Sequence, residues 1–316
     1  MEFVIRLGTG RARSYPLPLA VGPDWVQADG GWTAHVQLPK IPKAHIIVPS
    51  FSSVSNPSTY QFSIGRESTD LDLSLDQATS LMWVPRGANT VKPKCDAFSA
   101  HIDCWHSTKS STAVVKLHVA QQERPQDELV VISVRPLDKR YRPTRKPLIE
   151  APQPTPISQM MGPRSIAGGI CSPTATAMAL GSCWPQTIRA CHDPRTRAFG
   201  CWPLAIHWGS QCGHIGAVEA LFDWDSIYQV LSAGSPLVCS INFSKGHLTG
   251  APQNQTGGHL VTLYGLTETK ALVMDPAAKS HEEVSKEYDL KEFADAWLRQ
   301  RGAAYIFNPK LCVYDI

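Results

Sequence analysis

Between Pro136 and Pro156 the chain places six prolines, at positions 136, 143, 147, 152, 154 and 156. That density forbids both a helix interior and a central strand, because each proline lacks an N–H and has a locked φ. Lys139, Arg140, Arg142, Arg145 and Lys146 share the stretch, which therefore reads as an extended linker with a solvated charged face. A chain of 316 residues interrupted in this way must fold as two pieces, each long enough to bury a core. The boundary is set at about residue 150, giving a first domain over residues 1–150 that ends in the linker and a second over 151–316.

The first piece is patterned for strands. Ala34–Leu38, His45–Val48, Thr59–Ile64, Ala113–Val119 and Leu129–Val134 are short, rich in Val, Ile and aromatics, and bounded by Pro, Gly, Ser or Asp. No long amphipathic helix interrupts them, so an all-β, sandwich-like accessory domain is expected. The second piece mixes patterns. Ser172–Gly181 predicts a helix with proline in its first turn and glycine at its end, and Asp225–Ala233 a second helix closed by Gly234. Strands are predicted at Pro236–Ile241, His259–Tyr264, Ala271–Met274 and Ala304–Phe307, with a late helix over Leu290–Arg299. Helices first and strands later indicate an α+β domain.

No apolar run approaches the roughly 18 residues that span a bilayer, so no membrane span is expected. The formal charge of +3 provides no electrostatic footprint for nucleic acid. Nine cysteines cannot all pair within one chain. The start of the chain, Met1-Glu2-Phe3-Val4-Ile5-Arg6, has no export-signal pattern. A reducing, cytoplasmic setting with free thiols is the expectation.

The chemistry concentrates in the second piece. Gly168-Gly169-Ile170-Cys171-Ser172-Pro173 puts a thiol at the mouth of a helix, after glycines that permit close backbone approach. The orphan N–H groups and dipole there favour the thiolate, the nucleophilic form. His259, in Gly257-Gly258-His259-Leu260, begins an apolar strand and is the candidate base. Asp275, 16 residues later across a short hairpin, could hold the far ring nitrogen. Gln159, upstream of the cysteine helix, is the candidate oxyanion donor alongside the Cys171 N–H. Each alone has an ordinary structural reading, as a buried thiol, a strand histidine, a turn aspartate or a surface glutamine; their order and context together are more specific.

These residues also carry a resemblance. Ile157-Ser158-Gln159-Met160 and Cys171-Ser172-Pro173-Thr174-Ala175-Thr176-Ala177-Met178 resemble the active-site segment of C39-like cysteine peptidases, in the papain-like superfamily. Ala233–Phe243, Gly258–Val261, Met274–Ala278, Glu292-Phe293, Ala296–Leu298 and Tyr305-Ile306 resemble the rest of that core, so the likeness covers about residues 155–310. The first half is similar to the β-rich extension of some bacterial members. The resemblance implies a papain-like domain acting on a peptide or protein substrate, with no cofactor: nucleophile Cys171, base His259, orienter Asp275 and oxyanion donor Gln159. Gly169, Gly258 and Trp202 are expected to face substrate. In the family the glutamine commonly lies closer to the cysteine, where this chain has Ser165; an insertion with Gly162, Pro163, Gly168 and Gly169 would absorb the difference. Members that process bacteriocins sit on transporters, and this chain has neither a membrane span nor a nucleotide-binding half, so leader-peptide cleavage is not implied.

Cys183, Cys191, His192, Cys201, His207, Cys212 and His214 lie within 32 residues, but seven, nine and ten residues separate successive cysteines, which is poor zinc spacing. No metal is expected. The region reads instead as irregular loop around Trp184, Trp202 and Trp208, one wall of a substrate cleft, with a Cys183–Cys191 disulfide left open. Trp25, Trp32, Trp83 and Trp105 read as core or edge packing ahead of a stacking platform for peptide or glycan. Two rival functions stand beside the peptidase: an acyltransferase or peptide ligase using the same residues, and a non-catalytic binding module.

Overall fold

The computed structural model describes residues 1–67, 75–86, 95–144 and 147–308. The β-branched and aromatic runs of the first half form β1 (Phe3–Gly8), β2 (Trp25–Ala28), β3 (Gly31–Ile41), β4 (His45–Ser53), β5 (Thr59–Glu67), β6 (Leu75–Ser80), β7 (Phe98–Ala100), β8 (Trp105–Ser107), β9 (Ser111–Ala120) and β10 (Glu128–Pro136). Among the described residues they make two five-stranded sheets, β1-β10-β4-β8-β7 and β2-β3-β9-β5-β6. Side-chain alternation then assigns the faces. Val130, Ile132 and Val134 of β10 and Ile47 and Phe51 of β4 share one core with Tyr60, Phe62 and Ile64 of β5 and Val115, Leu117 and Val119 of β9. The intervening residues are not solvated. Leu129 and Val131 enter the core of the second half, and Ile46 and Val48 pack against its helices. Both faces of β4 and β10 are covered, which is why they read as nearly continuous apolar runs.

The second half contains β11 (Ile149–Glu150), α1 (Cys171–Leu180), α2 (Trp184–Ala190), α3 (Trp202–Gln211), β12 (Gly216–Ala220), α4 (Trp224–Ser232), β13 (Leu237–Phe243), β14 (Thr256–Leu266), β15 (Lys270–Met274), β16 (Ser285–Asp289), α5 (Leu290–Trp297) and β17 (Ala303–Phe307). The strands form one sheet in the order β12-β17-β13-β14-β15-β16, with β11 paired to β14. Alternation works here too. Leu237, Cys239 and Ile241 of β13 face α4 and α5, while Val238 shares a core with α1 and α3. This half is thus mixed helix and sheet, with helices on both faces.

The stretch expected to be irregular, 183–214, contains α2 and α3 instead. Each opens on the same tripeptide, Cys183-Trp184-Pro185 and Cys201-Trp202-Pro203, with proline in the first turn where its missing N–H costs nothing. Cys183 and Cys191 flank α2, whose seven residues rise about 10 Å, beyond disulfide reach. The eight described cysteines are free, and Cys312 lies outside the described residues.

The proline-rich linker is extended, and it is also docked. Ile149 and Glu150 pair with Leu266 and Gly265, and the Ala151 N–H donates to Tyr264 O at 2.8 Å. A Cβ at Gly265 would lie 2.9 Å from Glu150 Cγ, so glycine admits the close approach of β11. Arg145 and Lys146 lie outside the described residues.

The two halves meet along β12, an edge strand whose outer N–H groups need acceptors. Three buried serines of the first half supply them. Gly216 N donates to Ser52 Oγ at 3.2 Å, Val218 N to Ser50 Oγ at 2.9 Å and Ala220 N to Ser133 Oγ at 2.7 Å. Between these contacts the Glu219 side chain takes a bidentate bond from Arg6 of β1. Arg135, fully buried at the end of β10, donates to Leu221 O at 2.6 Å and to Leu298 O, and its guanidinium sits 4.5 Å from the Tyr141 ring centre. Burial pushes it down to about 10, which still leaves it charged at neutral pH. Gly302 closes over this cluster at φ +61°; a Cβ there would lie 2.0 Å from Arg135 Nη1 and 2.2 Å from Leu221 O. Gly302→Ala is therefore expected to cost about 1–3 kcal/mol from the left-handed backbone alone, with the clash adding to it. A thermal melt within 1 °C of wild type would refute this account of Gly302.

Candidate active site

Cys171 is the first residue of α1, and Ile170, just before it, accepts from Thr174 N at 3.1 Å and Thr174 Oγ1 at 2.7 Å. The helix is apolar or small on all sides, as a fully buried helix must be. Thr262 Oγ1 of β14 donates to Ala175 O at 3.0 Å, and Ser172 Oγ lies 2.9 Å from Tyr305 OH of β17. These bonds fix α1 on the sheet, while Cys171 at its open end stays partly exposed.

His259 is buried on β14, next to Ile241 of β13 in the ladder. Asp275 follows the end of β15, whose Met274 pairs with Thr262. The antiparallel hairpin thereby brings His259 Nε2 to 2.8 Å from Asp275 Oδ1. The same oxygen accepts from Ala277 N at 2.9 Å, and Oδ2 accepts from Tyr288 OH at 2.7 Å. With Nε2 on the carboxylate, Nδ1 is the ring nitrogen left for Cys171, to which His259 is electrostatically coupled. Imidazole, carboxylate and phenol form one hydrogen-bonded chain, with Cys171 electrostatically coupled to its imidazole end. Tyr288 was not anticipated, because its strand, Ser-Lys-Glu-Tyr-Asp, is charged and carries no apolar alternation.

Electrostatics favour charge separation along that chain. Burial pushes the Cys171 thiol up, but the His259 hydrogen bond and charge, with the backbone N–H groups of Leu260 and Ser172, outweigh it and hold it below the ordinary range. Burial likewise opposes the imidazolium, yet Asp275 and Cys171 raise His259. Asp275 is lowered: burial pushes it up, and the His259 charge and hydrogen bond, Tyr288 OH and Ala277 N–H overcome that. The shifts of Cys171 and His259 point toward thiolate and imidazolium.

The profile of the Peptidase_C39 like family matches residues 153–305, which include every one of these side chains. That stretch is a C39-like peptidase domain. Among solved structures, a Bacillus anthracis protein assigned as a C39-like peptidase is similar to the chain at 14% identity and a TM-score of 0.39, over 51% of this chain and 98% of its own. No curated protein matches the chain.

Elsewhere in the C39-like domain the expected site residues divide. Gln159 is 1% exposed in a 3₁₀ turn, Gln159–Met161, whereas Ser165 is exposed. The Gln159 Nε2 donates one hydrogen to Ala167 O at 2.7 Å, and Oε1 has no partner among the described residues. Gly169 and Gly258 are exposed, with open space where a Cβ would be. Trp202 must be corrected. It is 4% exposed within α3, its backbone N–H donates to Asp103 Oδ2 at 3.2 Å, and the Arg301 guanidinium lies 5.9 Å from its ring centre. Packed in a buried cluster with Ala205, Ile206 and Tyr305, it has almost no surface left for a substrate. Trp25 and Trp105 are core residues, so the four N-terminal tryptophans do not make a common platform. Among the described residues no group of three or more His, Cys, Asp or Glu could hold a metal, and no helix is long and apolar enough to cross a membrane.

Proposed function

We propose that the domain is a cysteine peptidase, papain-like in architecture, that opens peptide bonds through a thioester on Cys171. The single observation behind this is the buried hydrogen-bonded chain His259–Asp275–Tyr288 coupled to the partly exposed Cys171, whose thiol His259 holds below its ordinary range. In the first step the thiolate forms a C–S bond to the carbonyl carbon and the π pair moves to oxygen. The Cys171 N–H at the helix mouth and the second Nε2 hydrogen of Gln159 are the donors for that oxygen. As the tetrahedral centre collapses, the C–N bond breaks and His259 passes its proton to the leaving amine. Water, deprotonated by the now neutral His259, then attacks the thioester and releases the acid and the thiol. Asp275 keeps the ring oriented throughout, and Tyr288 keeps Asp275 oriented. The bare backbone at Gly168, Gly169, Gly257 and Gly258 suits an extended peptide lying close to the chain.

The test is incubation with a peptide library, read by mass spectrometry, using Cys171→Ala as the blank and adding hydroxylamine or glycinamide as an amine acceptor. New carboxyl termini that vanish in the blank are expected. Products that appear only as amides would replace hydrolase with acyltransferase. A library untouched by the wild type would leave a binding module as the better reading.

A further inference from the structure

Gln159 lies twelve residues ahead of Cys171, too far along the chain for the helix to place it. Its position is set from elsewhere, by the loop that leaves Asp275. Gln159 N donates to Pro276 O at 2.8 Å, the Ser158 hydroxyl donates to Ala278 O, and Ser158 N donates to His281 Nδ1 at 2.9 Å. The same loop begins with Ala277 N on Asp275 Oδ1 and with Asp275 N donating to Val284 O at 2.8 Å. One stretch, 275–284, thus grips the imidazole's carboxylate at one end and the glutamine segment at the other. Ser158 is fully buried, and its hydroxyl also receives Met160 N at 3.2 Å, which folds the 3₁₀ turn around Gln159. The buried Oε1 has no partner among the described residues, so the amide is oriented by its Nε2 bond and by these backbone anchors.

We infer that Ser158 and His281 are positioning residues for the oxyanion donor, so that a single loop assembles both the acid–base pair and the oxyanion site. The inference rests on the role proposed above for Gln159. Neither residue is placed to touch the thiolate pair, and this separates their effect from a general loss of structure.

Two small reagents read the two functions apart on the intact chain. Iodoacetamide alkylates Cys171 by displacing iodide and forms no oxyanion. p-Nitrophenyl acetate acylates the same sulfur through a tetrahedral oxyanion and releases p-nitrophenolate. The readout is the ratio of acylation to alkylation rate at Cys171. Gln159→Ala is expected to lower it by about tenfold or more, and His281→Ala and Ser158→Ala by about three- to tenfold, with alkylation itself within twofold of wild type. His281→Asn, whose Oδ1 can accept in place of Nδ1, is expected to restore the ratio to within about twofold. If Gln159→Ala lowers the ratio while His281→Ala and Ser158→Ala leave it unchanged, the positioning role is wrong and the oxyanion assignment stands. If Gln159→Ala also leaves it unchanged, the assignment of Gln159 falls and takes the inference with it. Parallel loss of both rates in His281→Ala would make the loop merely structural and overturn the inference.

Discussion

Replacing Arg6 with methionine is expected to lower the unfolding free energy by about 3–5 kcal/mol, because it strands a buried charge. Glu219 is 0% exposed on the β12 edge, and Arg6, 14% exposed, reaches it with Nε and Nη2 at 2.8 and 2.7 Å. Tyr15 OH adds a third bond to Glu219 Oε1 at 2.8 Å. With the guanidinium gone, the carboxylate keeps one phenol and no counter-charge, and water cannot replace the rest. The pair as a whole need not stabilise the fold to this extent, since much of the loss is the desolvation that Arg6 compensates. Arg6→Met combined with Tyr15→Phe and Glu219→Leu, which removes every partner together, should therefore recover most of the lost stability. Urea unfolding of the three proteins measures this. A single-variant loss below about 1 kcal/mol would mean that the contact is effectively solvated. Because the serines, Arg6 and Arg135 all cross the same seam, the wild type should unfold in one transition, and two resolved transitions would contradict this account of the interface.

Alkylation of Cys171 by iodoacetamide should remain fast at pH 6 in the wild type and fall by about tenfold or more in His259→Ala. An ordinary thiol with a pKa of about 8.5 is only about 0.3% thiolate at that pH. The His259 bond and charge are what outweigh burial and hold Cys171 low, so their removal returns the thiol to the desolvated, protonated state. The gain in thiolate is partly offset because a less basic thiolate is a weaker nucleophile, and that trims a potential difference of roughly two decades to about one. Asp275→Asn should shift the profile the same way but less. It lowers the imidazolium's stability while leaving the imidazole itself in place. Mass-spectrometric mapping between pH 5 and 8 follows each cysteine separately. Buried Cys191 and Cys239, both raised by burial, serve as unreactive references. Equal rates at Cys171 and the exposed Cys183 in the wild type would show that the pair does not form in the free protein.

What could be read without coordinates follows from local rules. Proline after Cys171 and glycine at 181 mark α1 because a ring without an N–H and a residue at φ +60° suit only the two ends of a helix. The Val- and Ile-rich runs of β9 and β10 mark strands, and the apolar run that starts at His259 and the one that stops before Asp275 mark a hairpin, whose antiparallel register brings those two residues together. The Trp-Pro starts of α2 and α3 carried equally local information, obscured by the cysteines beside them.

Other features left no local trace. Tyr288 supports Asp275 from a strand with no apolar period, since that strand is held by pairing with β15 and not by a buried face. Trp202 offers the same residue type whether its ring meets a substrate or Arg301, and only packing decides which. Serines at 50, 52 and 133 look like ordinary strand polars until β12 brings unpaired N–H groups against them. The sequence by itself determined the non-helical path of the proline-rich stretch, the two ends of α1 and the order Cys171, His259, Asp275, because dihedral preference acts over a few neighbours. The tertiary structure alone decided that the halves share a seam and that the loop after Asp275 grips Gln159. Those facts depend on which unsatisfied backbone groups and buried charges meet across distances that no local pattern encodes.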